Sequence, residues 1–187
     1  MSEKLYLDAQ TLLDDSFKLA AQVVKSDFQP TFIVALWRGG VPMGVAVQDF
    51  LRFFGIESDH IAIRTSYYSN IDTKAKEVAV YGMNYLIKNC RHEDKLLFVD
   101  DVFDTGTTLQ SVISHLKRIA RRNTPSDIRI AVPYYKPSRN KTDFEPDYYL
   151  HETEQWLKFP HSLEGLSMDD VRAHRPELAS ILDQVKT

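Results

Sequence analysis

The sequence predicts an α/β protein built on a twisted, mainly parallel sheet flanked by helices, and three observations carry that expectation. Short apolar runs (TFIVAL, DHIAIR, KLLFV, DIRIAV) alternate with stretches of helical periodicity, the mark of crossover units and a sheet covered on both faces. Glycine and hydroxyl residues sit where those runs hand over to helices, as in WRGG and DTGTT. The 187 residues are 43% hydrophobic and 26% charged, enough for one full core and far from a disordered composition.

The elements follow in order. Residues 8–25 place Leu12, Leu13, Phe17, Ala20, Val23 and Val24 on one stripe and predict an amphipathic helix. TFIVAL is a buried strand, WRGG a loop, and the next helix runs from Pro42 to Phe54, closed by Gly55. DHIAIR is the second strand. From Thr65 to Val78 the text is polar with little periodicity, which predicts a long mobile loop or a short hairpin; loops of that length are often functional. KLLFV is the third strand, and 109–122 is a helix with Leu109, Val112, Ile113, Leu116, Ile119 and Ala120 facing inward. DIRIAV and PDYYLHE supply two further strands. From Trp156 the character changes: WLKFPHSLEG is irregular, and 167–185 reads as one or two short helices broken at Pro176. One domain over 1–187 is expected, with about 150–187 as a small irregular C-terminal hood.

Composition excludes several classes. Cys90 is the single cysteine, so no internal disulfide forms. MSEKLYLD lacks a secretory apolar segment and no run is long enough to span a bilayer, so a cytoplasmic protein with no membrane partner is expected. A net charge of -3 speaks against a dedicated nucleic-acid binder. Lys117, Arg118, Arg121 and Arg122 complement the negative end of a helix dipole.

The chemistry concentrates in LLFVDDVFDTGTTLQ, residues 96–110. Ligands of open α/β sheets bind beyond the carboxyl ends of strands, so Asp100, Asp101 and Asp104 face a site. DTGTT then opens a helix, whose first N–H groups lack internal partners; Gly106 allows close approach, and Thr105, Thr107 and Thr108 add hydroxyls, making a phosphate cradle. Carboxylates beside an anion site are reconciled by a phosphorylated ribose, its diol on Asp100 and Asp101 and its phosphate on residues 104–108. Other phosphate chemistries fail on spacing. No G-x-x-x-x-G-K-[ST] is present. An aspartyl-phosphate site wants a second Asp two residues on, where Gly106 and Phe103 stand. The six histidines show no helical ligand pairing.

VDDVFDTGTT resembles the phosphoribosyl pyrophosphate signature of the type I phosphoribosyltransferases, and the resemblance extends to about Gly165. It implies that Trp37, Arg38 and Gly39 of ALWRGGVPMG form the pyrophosphate loop, with Gly40 adding backbone freedom, and that Arg64, Ser66 and Tyr67 belong to a flap that closes over the pyrophosphate and excludes water. Lys136 in YYKPSRN matches the lysine with which 6-oxopurine enzymes read the purine O6. Trp156 and Leu157 match the stacking aromatic and the residue whose backbone reads the ring edge. Asp104 is implied as the catalytic group handling the proton at purine N7, Asp100 and Asp101 as ribose and magnesium ligands. Relatives often continue F-P-W with Asp or Glu, whereas this chain has Phe159, Pro160, His161, Ser162, Leu163 and Glu164. That acid helps to hold magnesium or the purine 2-position in relatives; Glu164, two residues late, is the nearest acid here, so hypoxanthine is favoured over guanine and xanthine.

The implied reaction is purine phosphoribosyl transfer with Mg2+, in purine salvage, by a homodimer or homotetramer. Attack falls on the anomeric carbon through an oxocarbenium-like transition state. The competing reading is a non-catalytic sensor of phosphoribosyl pyrophosphate with the same fold that binds nucleic acid; it accounts for the basic helix end but not for Asp104, Lys136 and Trp156. A transferase for another base is the third.

Overall fold

A computed structural model describes residues 4–69 and 76–185. They fall into two compact units, Gln10–Glu154 and Met1–Ala9 with Gln155–Thr187.

The larger unit is the expected α/β layer structure. Strand β1 (Lys4–Tyr6) precedes it in the chain and belongs to the smaller unit. Helix α1 (Ala9–Lys25) leads into β2 (Phe32–Trp37), α2 (Gly40–Phe53), β3 (Asp59–Ser69), β4 (Lys76–Tyr81), α3 (Asn84–Asn89) and β5 (Lys95–Val99). Then come β6 (Val102–Phe103), α4 (Thr107–Ala120), β7 (Asp127–Tyr135) and β8 (Tyr148–Glu152). Strand β2 lies between β3 and β5, all parallel, with Val34 opposite both Ile61 and Phe98. Strand β7 follows β5 in parallel, and β8 lies on the other edge of β7. Among the described residues only β4 runs antiparallel, paired with β3. The central strands are covered on both faces: every residue from Phe32 to Leu36 and from Leu96 to Val99 is buried, the double burial that parallel sheets require.

Strands β5 and β6 pair with successive parts of the same edge of β7, Asp127–Ala131 and then Tyr134–Tyr135. They are one strand interrupted by Asp100 and Asp101. The Asp100 N–H still donates to Ala131 O (3.2 Å), and Lys136 N–H donates to Phe103 O (3.0 Å), so the ladder resumes beyond the break. The acids are thereby held at a strand end by main-chain bonds on both sides.

Several local expectations are corrected. The buried stripe of α1 is Leu12, Asp15, Ser16, Leu19, Ala20 and Val23, while Leu13 and Phe17 stay exposed. The rotation is tolerated because the Asp15 carboxylate is paired, with His151 Nε2 at 2.7 Å and Lys18 Nζ at 2.9 Å, and Ser16 Oγ donates to Leu12 O. Ile119 of α4 is likewise exposed. The polar stretch after Arg64 takes the hairpin alternative: Thr65 pairs with Val80 and Ser69 with Lys76. Residues 70–75 of that expected flap lie outside the described residues. Helix α2 begins at Gly40, two residues before Pro42, and is closed by Gly55, whose φ is +78° and whose N–H donates to Arg52 O. The sequence pattern also missed β1, α3, β6 and the strand Trp156–Lys158, which was expected to be irregular, each six residues or shorter.

The smaller unit pairs β1 with β9 (Trp156–Lys158) in parallel and adds α5 (Met168–His174) and α6 (Pro176–Val185). Pro176 is the first residue of α6, where its missing N–H costs nothing. Ser167 and Asp170 form a reciprocal capping box on α5. Asp170 also accepts from Tyr6 Oη (2.9 Å) and Lys4 Nζ (3.2 Å), and Tyr6 stacks on His174 at 3.7 Å. The Arg175 guanidinium donates to the carbonyls of Phe159 and Ser162, both at 2.8 Å, which pins the irregular FPHS segment that follows β9.

Candidate active site

The carboxyl ends of β2, β3, the β5–β6 strand and β7 bring together most of the residues singled out from sequence. Trp37 ends β2 opposite Arg64, where the parallel pairing of β3 with β2 stops; Asp100 and Asp101 break the next strand, and Lys136 follows β7.

The phosphate-type loop has the geometry its residues suggested. Gly106 is the N-cap of α4 with φ +73°, a left-handed conformation that glycine adopts without penalty. A side chain here would also collide, since a Cβ would lie 2.7 Å from the Phe103 ring and 2.8 Å from Thr142 Oγ1. Gly106 makes no side-chain cap hydrogen bond to the first turn of α4, and a helix start of this kind favours an anion through its N–H groups and dipole. Thr105 Oγ1 and Thr107 Oγ1 share a hydrogen bond at 2.9 Å, so the hydroxyls converge beside those amides.

The two acids are packed directly against the WRGG loop. A Cβ on Gly40 would sit 2.3 Å from Val99 O, a main-chain clash that excludes a side chain, and one on Gly39 would sit 1.9 Å from Asp101 Oδ2, so a side chain there would displace that carboxylate. The Trp37–Arg38 peptide is cis. Burial, and then the neighbouring Asp101 carboxylate, push the Asp100 carboxyl well above the usual carboxylate range. Two carboxylates pressed together in this way are a hard oxygen donor set that a divalent cation would relieve. Among the described residues no group of three or more His, Cys, Asp or Glu side chains gathers for a metal. Two acids suit Mg2+, which keeps several waters and takes its remaining ligands from substrate oxygens.

Asp104 is half-buried and ion-paired with Arg139 Nε, a residue that sequence reading passed over. Arg139 sits on a single helical turn opened by Pro137, its N–H donating to Lys136 O (3.1 Å). The available signal was a cation three residues beyond Lys136 on a proline-initiated turn. Lys136 itself is 3% exposed, its backbone tied to Phe103. Asp104 and Lys136 therefore flank the same short strand, β6.

Arg64 and Ser66 lie on β3, with the Arg64 guanidinium 4.4 Å over the Tyr81 ring. The Tyr67 side chain lies outside the described residues. Trp156, Leu157 and Glu164 belong to the smaller unit. There Trp156 is 48% exposed, with Lys158 Nζ 5.9 Å from its ring centre, and Lys158 Nζ donates to the main-chain O of Glu164 (2.9 Å). Among the described residues no helix is long and apolar enough to cross a membrane.

Comparison with known proteins supplies the family and the fold. The family model for the phosphoribosyl transferase domain matches residues 2–170. The hypoxanthine-guanine phosphoribosyltransferase of Sus scrofa is 25% identical over 154 residues, covering 78% of this chain and 67% of that protein. The crystal structure of a purine phosphoribosyltransferase from Pyrococcus horikoshii superposes with a TM-score of 0.68 at 25% identity, over 88% of this chain and 97% of that one. A Neisseria gonorrhoeae protein crystallised with bound ppGpp has the same fold, with a TM-score of 0.74 at 18% identity over 97% and 98%.

Proposed function

Because the chain belongs to the phosphoribosyl transferase domain family, we propose that it transfers 5-phosphoribosyl from phosphoribosyl pyrophosphate to N9 of a 6-oxopurine, hypoxanthine before guanine or xanthine. The products are a nucleoside monophosphate and pyrophosphate, and the role is purine salvage. The observation that carries the proposal is the continuity of Asp100–Thr108: two acids at a strand end run straight into an uncapped helix start with three threonine hydroxyls.

In this reading the 5-phosphate rests on the amides and hydroxyls of 105–108, and Asp100 and Asp101 orient the ribose diol. Trp37, Arg38 and Gly39 take the pyrophosphate. Arg64, Ser66 and Tyr67 belong to the hairpin that shields the donor from water. Asp100 and Asp101 are the residues to hold Mg2+, which when bound neutralises the leaving diphosphate; Glu164 has no further support for that role. Lys136 donates to the purine O6, Trp156 stacks on the ring, and Leu157 reads its edge, the work expected of a hood over about 150–187 within one functional domain. Asp104 receives the proton at N7 as the bond to the sugar forms at N9. Arg139, paired with Asp104, orients that carboxylate. Ser162 in place of the acid that follows F-P-W in relatives leaves no carboxylate for a purine 2-substituent, which is the reason for placing hypoxanthine first. A cytoplasmic homodimer or homotetramer completes the reading.

The test is pyrophosphate release from the donor with hypoxanthine, guanine, xanthine, adenine and orotate offered singly. Turnover with hypoxanthine above all others supports the proposal. Turnover only with adenine or orotate overturns the base assignment, and donor binding without turnover on any base favours the sensor.

A further inference from the structure

Behind the phosphate-type loop, within the larger unit, a cleft of about 390 Å3 opens between α4, the start of β7 and residues 143–147. That volume falls in the range of small-molecule sites, about 300–1,000 Å3. Its floor is apolar, made by Ile113, Ile128, Ile130 and Phe144, and one wall is acidic, with Asp143, Glu145 and Asp147 against the single cation Lys117. The charge imbalance is built in. Asp147 is exposed and its Oδ2 accepts the Ile130 N–H (2.8 Å); desolvation raises its carboxyl above the usual range while that hydrogen bond and the nearby Arg129 lower it, so Asp147 keeps room for a further positive group on its open side. Asp143 and Lys117 make no ion pair among the described residues.

The acidic wall is mechanically continuous with the loop of residues 104–108. Lys141 N–H donates to Thr105 O (3.0 Å), and Thr142 Oγ1 lies 2.8 Å from where a Cβ of Gly106 would be. Asn140 clamps this segment, its Oδ1 accepting from Thr142 N–H (2.9 Å) and its Nδ2 donating to Phe144 O (2.9 Å). The Phe144 ring, which floors the cleft, packs edge-on against Phe103 at 5.8 Å. An occupant that fixes Phe144 therefore fixes Thr142 and, through it, the turn at Gly106.

We propose that this cleft is a second ligand site, for a small amphipathic organic cation with a flat apolar body and one ammonium group, and that its occupation tightens the hold of residues 104–108 on phosphate. The body lies on the Ile113, Ile128 and Phe144 floor and the ammonium faces the acidic wall. The coupling half rests on the phosphate role proposed for residues 104–108; the binding half does not.

Tyramine is the probe, titrated into the full chain by calorimetry. Saturable one-to-one binding is expected, weakened about tenfold or more by Asp143→Asn, which removes a charge, and abolished by Ser114→Trp, which fills the cleft from the exposed side of α4. Neither residue belongs to the proposed catalytic machinery, and an unchanged melting temperature shows that each variant folds. No saturation at millimolar tyramine, undiminished binding by folded Ser114→Trp, or equal affinity for spermidine, which lacks a flat body, overturns the site. With tyramine saturating, ribose 5-phosphate should bind about fivefold or more tightly, and tyramine should gain the same factor from ribose 5-phosphate. Unchanged affinity overturns the coupling. Absence of transferase turnover alongside intact tyramine binding would count against the proposed function and leave the site standing.

Discussion

The segment 95–108 and the smaller unit are assembled by opposite means. The first is local: a strand, two acids, a two-residue strand and a helix start follow one another, and bonds to the neighbouring strand hold them at 3.2 and 3.0 Å. The second is held by contacts between chain ends, with Lys4 and Tyr6 reaching Asp170 and Tyr6 stacking on His174. The difference teaches where chemistry is written legibly. A site made of consecutive residues on a strand–loop–helix unit must keep its spacing in the text, whereas a scaffold closed across more than 160 positions leaves no local pattern.

The comparison is broken most forcefully at Asp104. Asp104→Asn should lower kcat about 10²–10⁴-fold while leaving donor affinity largely intact, measured by steady-state kinetics beside an equilibrium titration; equal losses in both would remove its proton role. Gly39→Ala comes next, because the added methyl occupies the place of the Asp101 carboxylate. Displacing that acid should cost about 100-fold in kcat/KM. Gly106→Ala combines a positive φ with contact on Phe103, and should destabilise by about 1–3 kcal/mol in chemical unfolding. In the smaller unit effects shrink to those of a cap. Ser167→Ala should cost about 1 kcal/mol, read by exchange of the α5 amides.

The smallest effect is a pH dependence. Bonds from the Ser167 N–H and hydroxyl, then from Tyr6 and Lys4, hold the Asp170 carboxyl well below its usual value. A depressed folded-state pKa contributes stability that is present above the unfolded carboxylate value of about 3.9 and is lost as pH falls toward the folded one. Protection of the α5 amides against exchange, relative to the intrinsic rate at each pH, should therefore fall below about pH 4, and Asp170→Asn should remove that acid dependence. Acid-insensitive protection in the native chain would contradict it.

The larger unit was legible in proportion to its periodicity. Strands β2, β5 and β7 and helix α4 were found because burial on both faces, or on one stripe, imposes a pattern. The α1 face was misread because Asp15 is buried with a partner that sequence cannot supply, His151 lying 136 residues away, and Ser16 because its hydroxyl turns back on Leu12 O. Arg139 was missed for a related reason, since its partner Asp104 is brought to it by the β6–β7 pairing. Strands β1 and β6 are three and two residues long, too short for any period to register.

The central claim is that residues 100–108 form one grip for a phosphorylated sugar. A crystal structure of the chain with inosine monophosphate tests it most directly. The account predicts the 5′-phosphate on the main-chain amides of 105–108 and the ribose diol turned toward Asp100 and Asp101. A phosphate bound elsewhere, with that loop engaged by no anion, would contradict it.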